Sequence, residues 1–169
     1  VEDVAGALQS LASEIRREEE PVLPAIAITG SVGKTTTCAI LRSLLGANLQ
    51  VQSPQDSYNN HLGVPITILD APPETEILIL ELGTNAPGEI AALAQIARAS
   101  YGVITSVAPT HLQGLGSIEG VHREKFSLFD HIDGDGMWAP VECREGTSLP
   151  LDNYRWTGPD GDLEIRRRG

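Results

Sequence analysis

The chain has 169 residues, 12 basic against 23 acidic side chains, a net charge of −11, and 41% apolar residues. That length suits one domain with a real core, the scarcity of cations excludes a broad nucleic-acid-binding face, and no apolar run approaches the roughly 20 residues that span a bilayer. Cys38 and Cys143 follow no metal spacing, and no signal-peptide pattern opens the sequence, so a reducing cytoplasm and no membrane are expected. The sequence starts at Val1 and its one methionine is Met137, which suggests a processed chain or a piece of a longer one. Ten arginines accompany just two lysines, Lys34 and Lys125. So strong a bias makes each lysine a candidate for chemistry that arginine cannot perform.

Val4, Ala7, Leu8, Leu11, Ala12 and Ile15 fall at helical spacing and predict an amphipathic helix over residues 2–19, stopped by Pro21. Ala25–Thr29 reads as a short strand buried on both faces. Residues 30–33 turn, and 34–45 predict a helix with Cys38 on its inner side and Ala39, Ile40, Leu41, Leu44 and Leu45 apolar. Ile77–Leu82 is a second buried strand, Pro87 suits a first helical turn, and the helix it opens runs to about Ala97. Tyr101–Val107 is a third strand and residues 117–132 a third helix of this series. Beyond Gly134 the signals weaken, with short strands expected at 137–140, 153–157 and 162–167. Arg166-Arg167-Arg168 reads as a solvated tail. The alternation of strand and helix predicts an α/β domain built on a mostly parallel sheet with right-handed crossovers. The chain divides into a leading helix (1–20), an α/β body (22–132) and short C-terminal strands (133–169) completing one domain.

The junction "AIAITGSVGKTTT" carries the strongest chemical signal. The strict phosphate-loop pattern asks for glycine where Ile28 stands, but the physical parts are present. Gly30 and Gly33 let backbone amides turn inward, the following helix offers its unpaired N–H groups and positive dipole end, Lys34 supplies a compact charge, and the Thr35 hydroxyl is placed to ligate Mg²⁺. Glu81 stands at the mouth of the second strand, and His111 lies beyond the third, on the carboxyl edge where open α/β sheets bind ligands. Lys125 sits between Glu124 and Phe126 on a helix, where spacing leaves a surface ion pair and a chemical role both open.

"ITGSVGKTTT", "YNNHLGVPITIL", "ILELGTNAPGEIAAL" and "ITSVAPTHLQGLGSIEGVHREKFSLF", in this order, resemble the central domain of the Mur ligases. These are ATP-dependent enzymes that form amide bonds in peptidoglycan precursor synthesis. Asn59-Asn60 ahead of Gly63-Val64-Pro65, together with Gly88-Glu89-Ile90, point to the branch that adds D-alanyl-D-alanine to a UDP-N-acetylmuramoyl-tripeptide. The resemblance covers roughly residues 1–132. It implies that Gly30, Ser31, Gly33, Lys34, Thr35 and Thr36 hold the ATP phosphates, with Asn59 and Asn60 facing them. It further implies that Thr35 and Glu81 bind one Mg²⁺, that His111 contributes to a second, and that Lys125 takes up CO₂ to become a carbamate able to contact magnesium. Lys34, His111 and Lys125 are then the catalytic candidates, in a reaction that converts a carboxylate to an acyl phosphate and then an amide.

The chain departs from that family in length, with no room for the N-terminal UDP-sugar domain or the C-terminal domain for nucleotide and amine. These would come from elsewhere in a longer protein or from a partner. His61 replaces a customary acidic residue, and "DGDGMWAPVECREGTSL" lacks the asparagine-and-acidic cluster that precedes the third domain. A Mur-like ATP-binding module without ligase activity, acting with a partner or as a structural domain, is the alternative. A GTPase would carry an N-K-x-D-type guanine reader, which the sequence lacks, and the Lys125 segment fits neither a GTPase nor a kinase.

Overall fold

The computed structural model describes residues 3–18, 23–55, 57–132, 136–140, 143, 154–157 and 164–167. Helix α1 (Val4–Glu18) leads into strand β1 (Ala25–Thr29), helix α2 (Lys34–Leu45), strand β2 (Val51–Gln52), helix α3 (Gly63–Leu69), strand β3 (Ile77–Glu81) and helix α4 (Glu89–Ala97). Strand β4 (Tyr101–Ile104), helices α5 (Leu112–Leu115) and α6 (Ile118–Phe126), a 3-10 turn (Ser127–His131) and strands β5 (Met137–Trp138), β6 (Tyr154–Thr157) and β7 (Glu164–Arg167) follow. Among the described residues, the seven strands form one sheet in the order β2-β3-β1-β4-β5-β7-β6. The first five are parallel, while β7 runs antiparallel to β5 and β6 antiparallel to β7. The mostly parallel α/β architecture read from the alternation is the one observed.

The sheet is covered unequally. Ala25, Ala27, Leu78, Leu80 and Ile104 face the larger core shared with α1, α3, α4 and α6, while Ile28 and Ile79 face Cys38 on α2. Alanines on the crowded side of β1 leave room for the helices. Strand β1 lies between β3 and β4 with Ile28 opposite Glu81 and Thr29 opposite Ile104. That register gathers the ends of three strands beside the loop that follows β1. Among the described residues, no helix is long and apolar enough to cross a membrane.

Several local expectations are corrected. The buried side of α1 keeps only part of the predicted stripe: Ala12 is fully buried as expected, but its buried companion is Arg16, whereas Val4 is 72% and Leu11 53% exposed. Helix α1 packs on α3 and α4, and Arg16 is drawn inward because its Nε and Nη2 donate to the carbonyls of Ala97 and Arg98 (2.9 and 3.1 Å) at the end of α4. On α2, Ile40 and Leu44 are exposed, because that face of the sheet needs only Cys38, Leu41 and Leu45 to cover it. The third strand stops at Ile104, since Thr105 onward turns to bind the β1–α2 loop. The predicted single helix over 117–132 is divided into α6 and a 3-10 turn, with the Ser127 hydroxyl bonded back to the Glu124 carbonyl (2.6 Å). Arg166 and Arg167 belong to β7, in line with the strand expected at 162–167 and not with a solvated tail. Arg168, Pro21 and most of "DGDGMWAPVECREGTSL" lie outside the described residues.

Candidate active site at the carboxyl edge of the sheet

Gly30 and Gly33 adopt φ of 152° and 89°, values that side chains disfavour. A Cβ on Gly30 would also fall 1.9 Å from the Thr105 hydroxyl. The loop is fastened to the segment after β4. The amides of Ser31 and Val32 donate to the Ser106 carbonyl (2.9 Å) and hydroxyl (3.0 Å), Thr105 Oγ1 donates to the Val32 carbonyl (2.6 Å), and Ser31 Oγ donates to the Ala108 carbonyl (3.0 Å). Ser31 is therefore an anchor of the loop, and Thr105, Ser106 and Thr110, absent from the sequence reading, complete that anchoring. Helix α2 begins at Gly33 without a side-chain cap, and among the described residues the amides of residues 33–36 have no protein acceptor. Lys34 Nζ donates to the Gly30 carbonyl (3.0 Å), spanning the loop it closes.

Glu81, 2% exposed, receives hydrogen bonds from Thr35 Oγ1 (2.9 Å) and from Asn59 Nδ2 (2.9 Å). These are hard oxygen donors on a strand end and a helix start, a donor type and rigidity that fit magnesium, with the rest of its shell left to phosphates and water. Among the described residues no group of three or more His, Cys, Asp and Glu side chains gathers as a ready metal cage. Thr36 is exposed on the first turn of α2. Asn60 accepts from the amides of Leu62 and Gly63 (both 3.0 Å), capping α3.

A cavity of about 340 Å³ lies beside the loop, while Thr35 and Glu81 face a second pocket along α2. Gly30, Lys34, Asn59, Asn60, His111 and Lys125 line the cavity beside the loop, along with the 83–85 segment and Glu89. His111 reaches it from an exposed left-handed turn, φ 54°. Lys125 is 2% exposed, so it is no surface lysine, and among the described residues no ion pair involves it. Burial, and then the charge of Lys34, lower its pKa to about 8, with Glu124 opposing. Burial, aided by Glu81, pushes the Cys38 thiol up to about 12, which makes it an inert core group.

Glu124 escaped the sequence reading. It is 5% exposed and accepts from the amides of Gly88 (2.6 Å) and Ile90 (2.8 Å), which closes the start of α4. Glu89 accepts from the amides of Asn85 (2.6 Å) and Ala86 (3.1 Å), and those bonds, Asn85 first, hold its carboxyl below the usual range. For Lys125, a local signal did exist: Val121, Lys125 and Leu128 stand at i, i+4 and i+7, a buried stripe that includes the lysine.

Comparison with known proteins bears on the family and the fold. The family model described as Mur ligase middle domain matches residues 28–140. UDP-N-acetylmuramoyl-tripeptide--D-alanyl-D-alanine ligase of Bacillus subtilis is 39% identical over 137 residues, 81% of this chain and 30% of that protein. The enzyme of the same name from Mycobacterium leprae is 43% identical over 138 residues, 79% and 26% of the two chains. Among solved structures, MurF from Acinetobacter baumannii superimposes with a TM-score of 0.78 at 33% identity, covering 86% of this chain and 33% of that one. MurF ligase from Thermotoga maritima in complex with ADP gives 0.74 at 31%, covering 82% and 32%. The chain thus spans about a third or less of the length of these relatives. It belongs to the Mur ligase family and is homologous to MurF through the family's middle domain.

Proposed function

We propose that the chain carries the ATP-phosphate-binding and carboxylate-activating centre of a cytoplasmic amide-bond ligase. In a full-length context its reaction would be addition of D-alanyl-D-alanine to a UDP-N-acetylmuramoyl-tripeptide. The observation that carries the reading is the Thr35–Glu81–Asn59 cluster at the head of α2, next to a cavity lined by both lysines of the chain. The similar MurF ligase of Thermotoga maritima was solved in complex with ADP, which supports a nucleotide as the ligand here.

In this reading Gly30 and Gly33 shape the loop, and the amides of residues 33–36 with Lys34 bind the β- and γ-phosphates. Thr35 and Glu81 would hold one Mg²⁺, and His111 with a carbamate on Lys125 would serve a second. Bound magnesium would neutralise the charge that otherwise keeps the triphosphate and a substrate carboxylate apart. Lys34 and the α2 dipole favour the same approach by preorganised positive potential. A carboxylate oxygen then attacks the γ-phosphorus as the bond to ADP breaks. An amine nitrogen bonds to the acyl carbon of the resulting acyl phosphate, the bond from that carbon to the phosphate oxygen breaks to release inorganic phosphate, and the nitrogen loses a proton to solvent, leaving an amide.

Carbamate formation needs a neutral amine: nitrogen bonds to CO₂ carbon and a proton leaves to solvent. With a pKa of about 8, roughly a tenth of Lys125 is neutral at pH 7. Binding of the sugar-linked peptide and of the incoming dipeptide falls to the lengths of chain that the relatives have beyond this region, or to a partner. Calorimetric titration with ATP, with and without Mg²⁺ in bicarbonate buffer, tests the reading. Magnesium-dependent binding is expected, weakened roughly a hundredfold by Lys34→Ala. Unchanged affinity in that variant would refute the loop assignment.

A further inference from the structure

Helix α6 carries two adjacent ionisable side chains, both buried, that serve different surroundings. Lys125 lines the cavity, whereas Glu124 turns to α4 and the segment before it. Glu124 Oε2 accepts from the Gly88 amide (2.6 Å) and Oε1 from the Ile90 amide (2.8 Å); Oε1 also lies 3.3 Å from the Thr84 hydroxyl, which shares its one proton with the nearer Ala86 carbonyl (2.9 Å). A carboxylate in this place answers the unpaired donors and positive end of α4. Its donors lie on both sides of Pro87, so one side chain ties α6 to the first turn of α4 and to the 83–85 wall of the cavity. Neighbouring side chains on a helix leave its axis about 100° apart. Fixing Glu124 therefore fixes the rotation and height of α6, and with them the point from which Lys125 departs.

We propose that Glu124 is a positioning residue: its clamp on α4 and Thr84 holds the Lys125 amine in the cavity that Lys125 shares with Lys34. This rests on the reading that Lys125 acts in that cavity.

Because the chain has two lysines, labelling with ε-¹³C-lysine gives two signals, assigned by Lys125→Arg. A held, buried Lys125 shows two inequivalent ε-protons. In Glu124→Ala these should collapse to one averaged shift, with the Lys34 signal and the circular dichroism unchanged. Formate, a carboxylate small enough for the space left, should restore the inequivalence. Glu124→Gln covers the event that the alanine variant does not fold. It keeps one acceptor but turns an amide donor toward a backbone N–H, so the splitting should shrink. Wild-type splitting in either folded variant, an averaged Lys125 in the wild type, or no recovery with formate would overturn the proposal. Adding Mg·ATP to the same wild-type sample tests the functional reading separately: no shift of Lys34 would sink that reading and leave the Glu124 result standing.

Discussion

Helices α2 and α4 start on nearly the same backbone. Gly33 stands at φ 89°, ψ −3° before α2, and Gly88 at φ 87°, ψ −7° before α4, each beyond the carboxyl end of one of two adjacent parallel strands. Their amides meet different fates. At α4 a buried carboxylate from α6 takes the Gly88 and Ile90 donors. At α2 the amides of residues 33–36 have no protein acceptor among the described residues, and the neighbouring polar groups Lys34, Thr35 and Glu81 surround the same corner. Equivalent helix starts serve opposite ends: one closes the fold, and the other offers donors to an anionic ligand.

The contrast breaks most visibly at Glu124. Replacing it with alanine removes two charge-assisted bonds to backbone donors and should cost about 3–5 kcal/mol in urea unfolding. The two lysines sharpen the comparison next. Lys125 has a folded pKa of about 8 against the ordinary 10.5, so below pH 8 the folded chain carries a buried ammonium at a cost. Between pH 8 and 10.5 the folded state has shed a proton that the unfolded state keeps, and stability rises with pH. Lys125→Met should therefore be about 2–3 kcal/mol more stable than the wild type at pH 7 in CO₂-free buffer, a difference that fades as the pH approaches 10.5. Gly33→Ala and Gly88→Ala should each cost about 1–2 kcal/mol, and nearly equally. Neither added Cβ meets an atom closer than 3.7 Å, so the cost is backbone strain alone. Lys34→Ala comes last, at less than about 1 kcal/mol, since it gives up one bond to a loop carbonyl.

What could be read in advance follows the range of the interactions involved. Strand β1, its glycine loop and α2 are local: an apolar run, two glycines and a lysine–threonine pair announce them within thirteen residues. Helix α3 was missed because "GVPITIL" combines proline with β-branched residues, the composition of a strand edge. Pro65 is tolerated in the first turn, where no intrahelical N–H is needed, and Asn60 caps that turn from outside. The buried side of α1 depends on the C-terminal carbonyls of α4, some 80 residues away, which no periodicity within α1 can report. Glu124 meets its partners 34 to 40 positions back along the chain. It is a residue whose role appears only once α4 and α6 are set side by side.

Hydrogen exchange with and without Mg·ATP compares the two helix starts in one experiment. The amides of residues 33–36 should slow at least tenfold on ligand addition, while those of Gly88 and Ile90, already held by Glu124, should keep their rates. Slowing at Gly88 and Ile90 instead, or no change at residues 33–36, would contradict the assignment of α2 as the phosphate-binding helix.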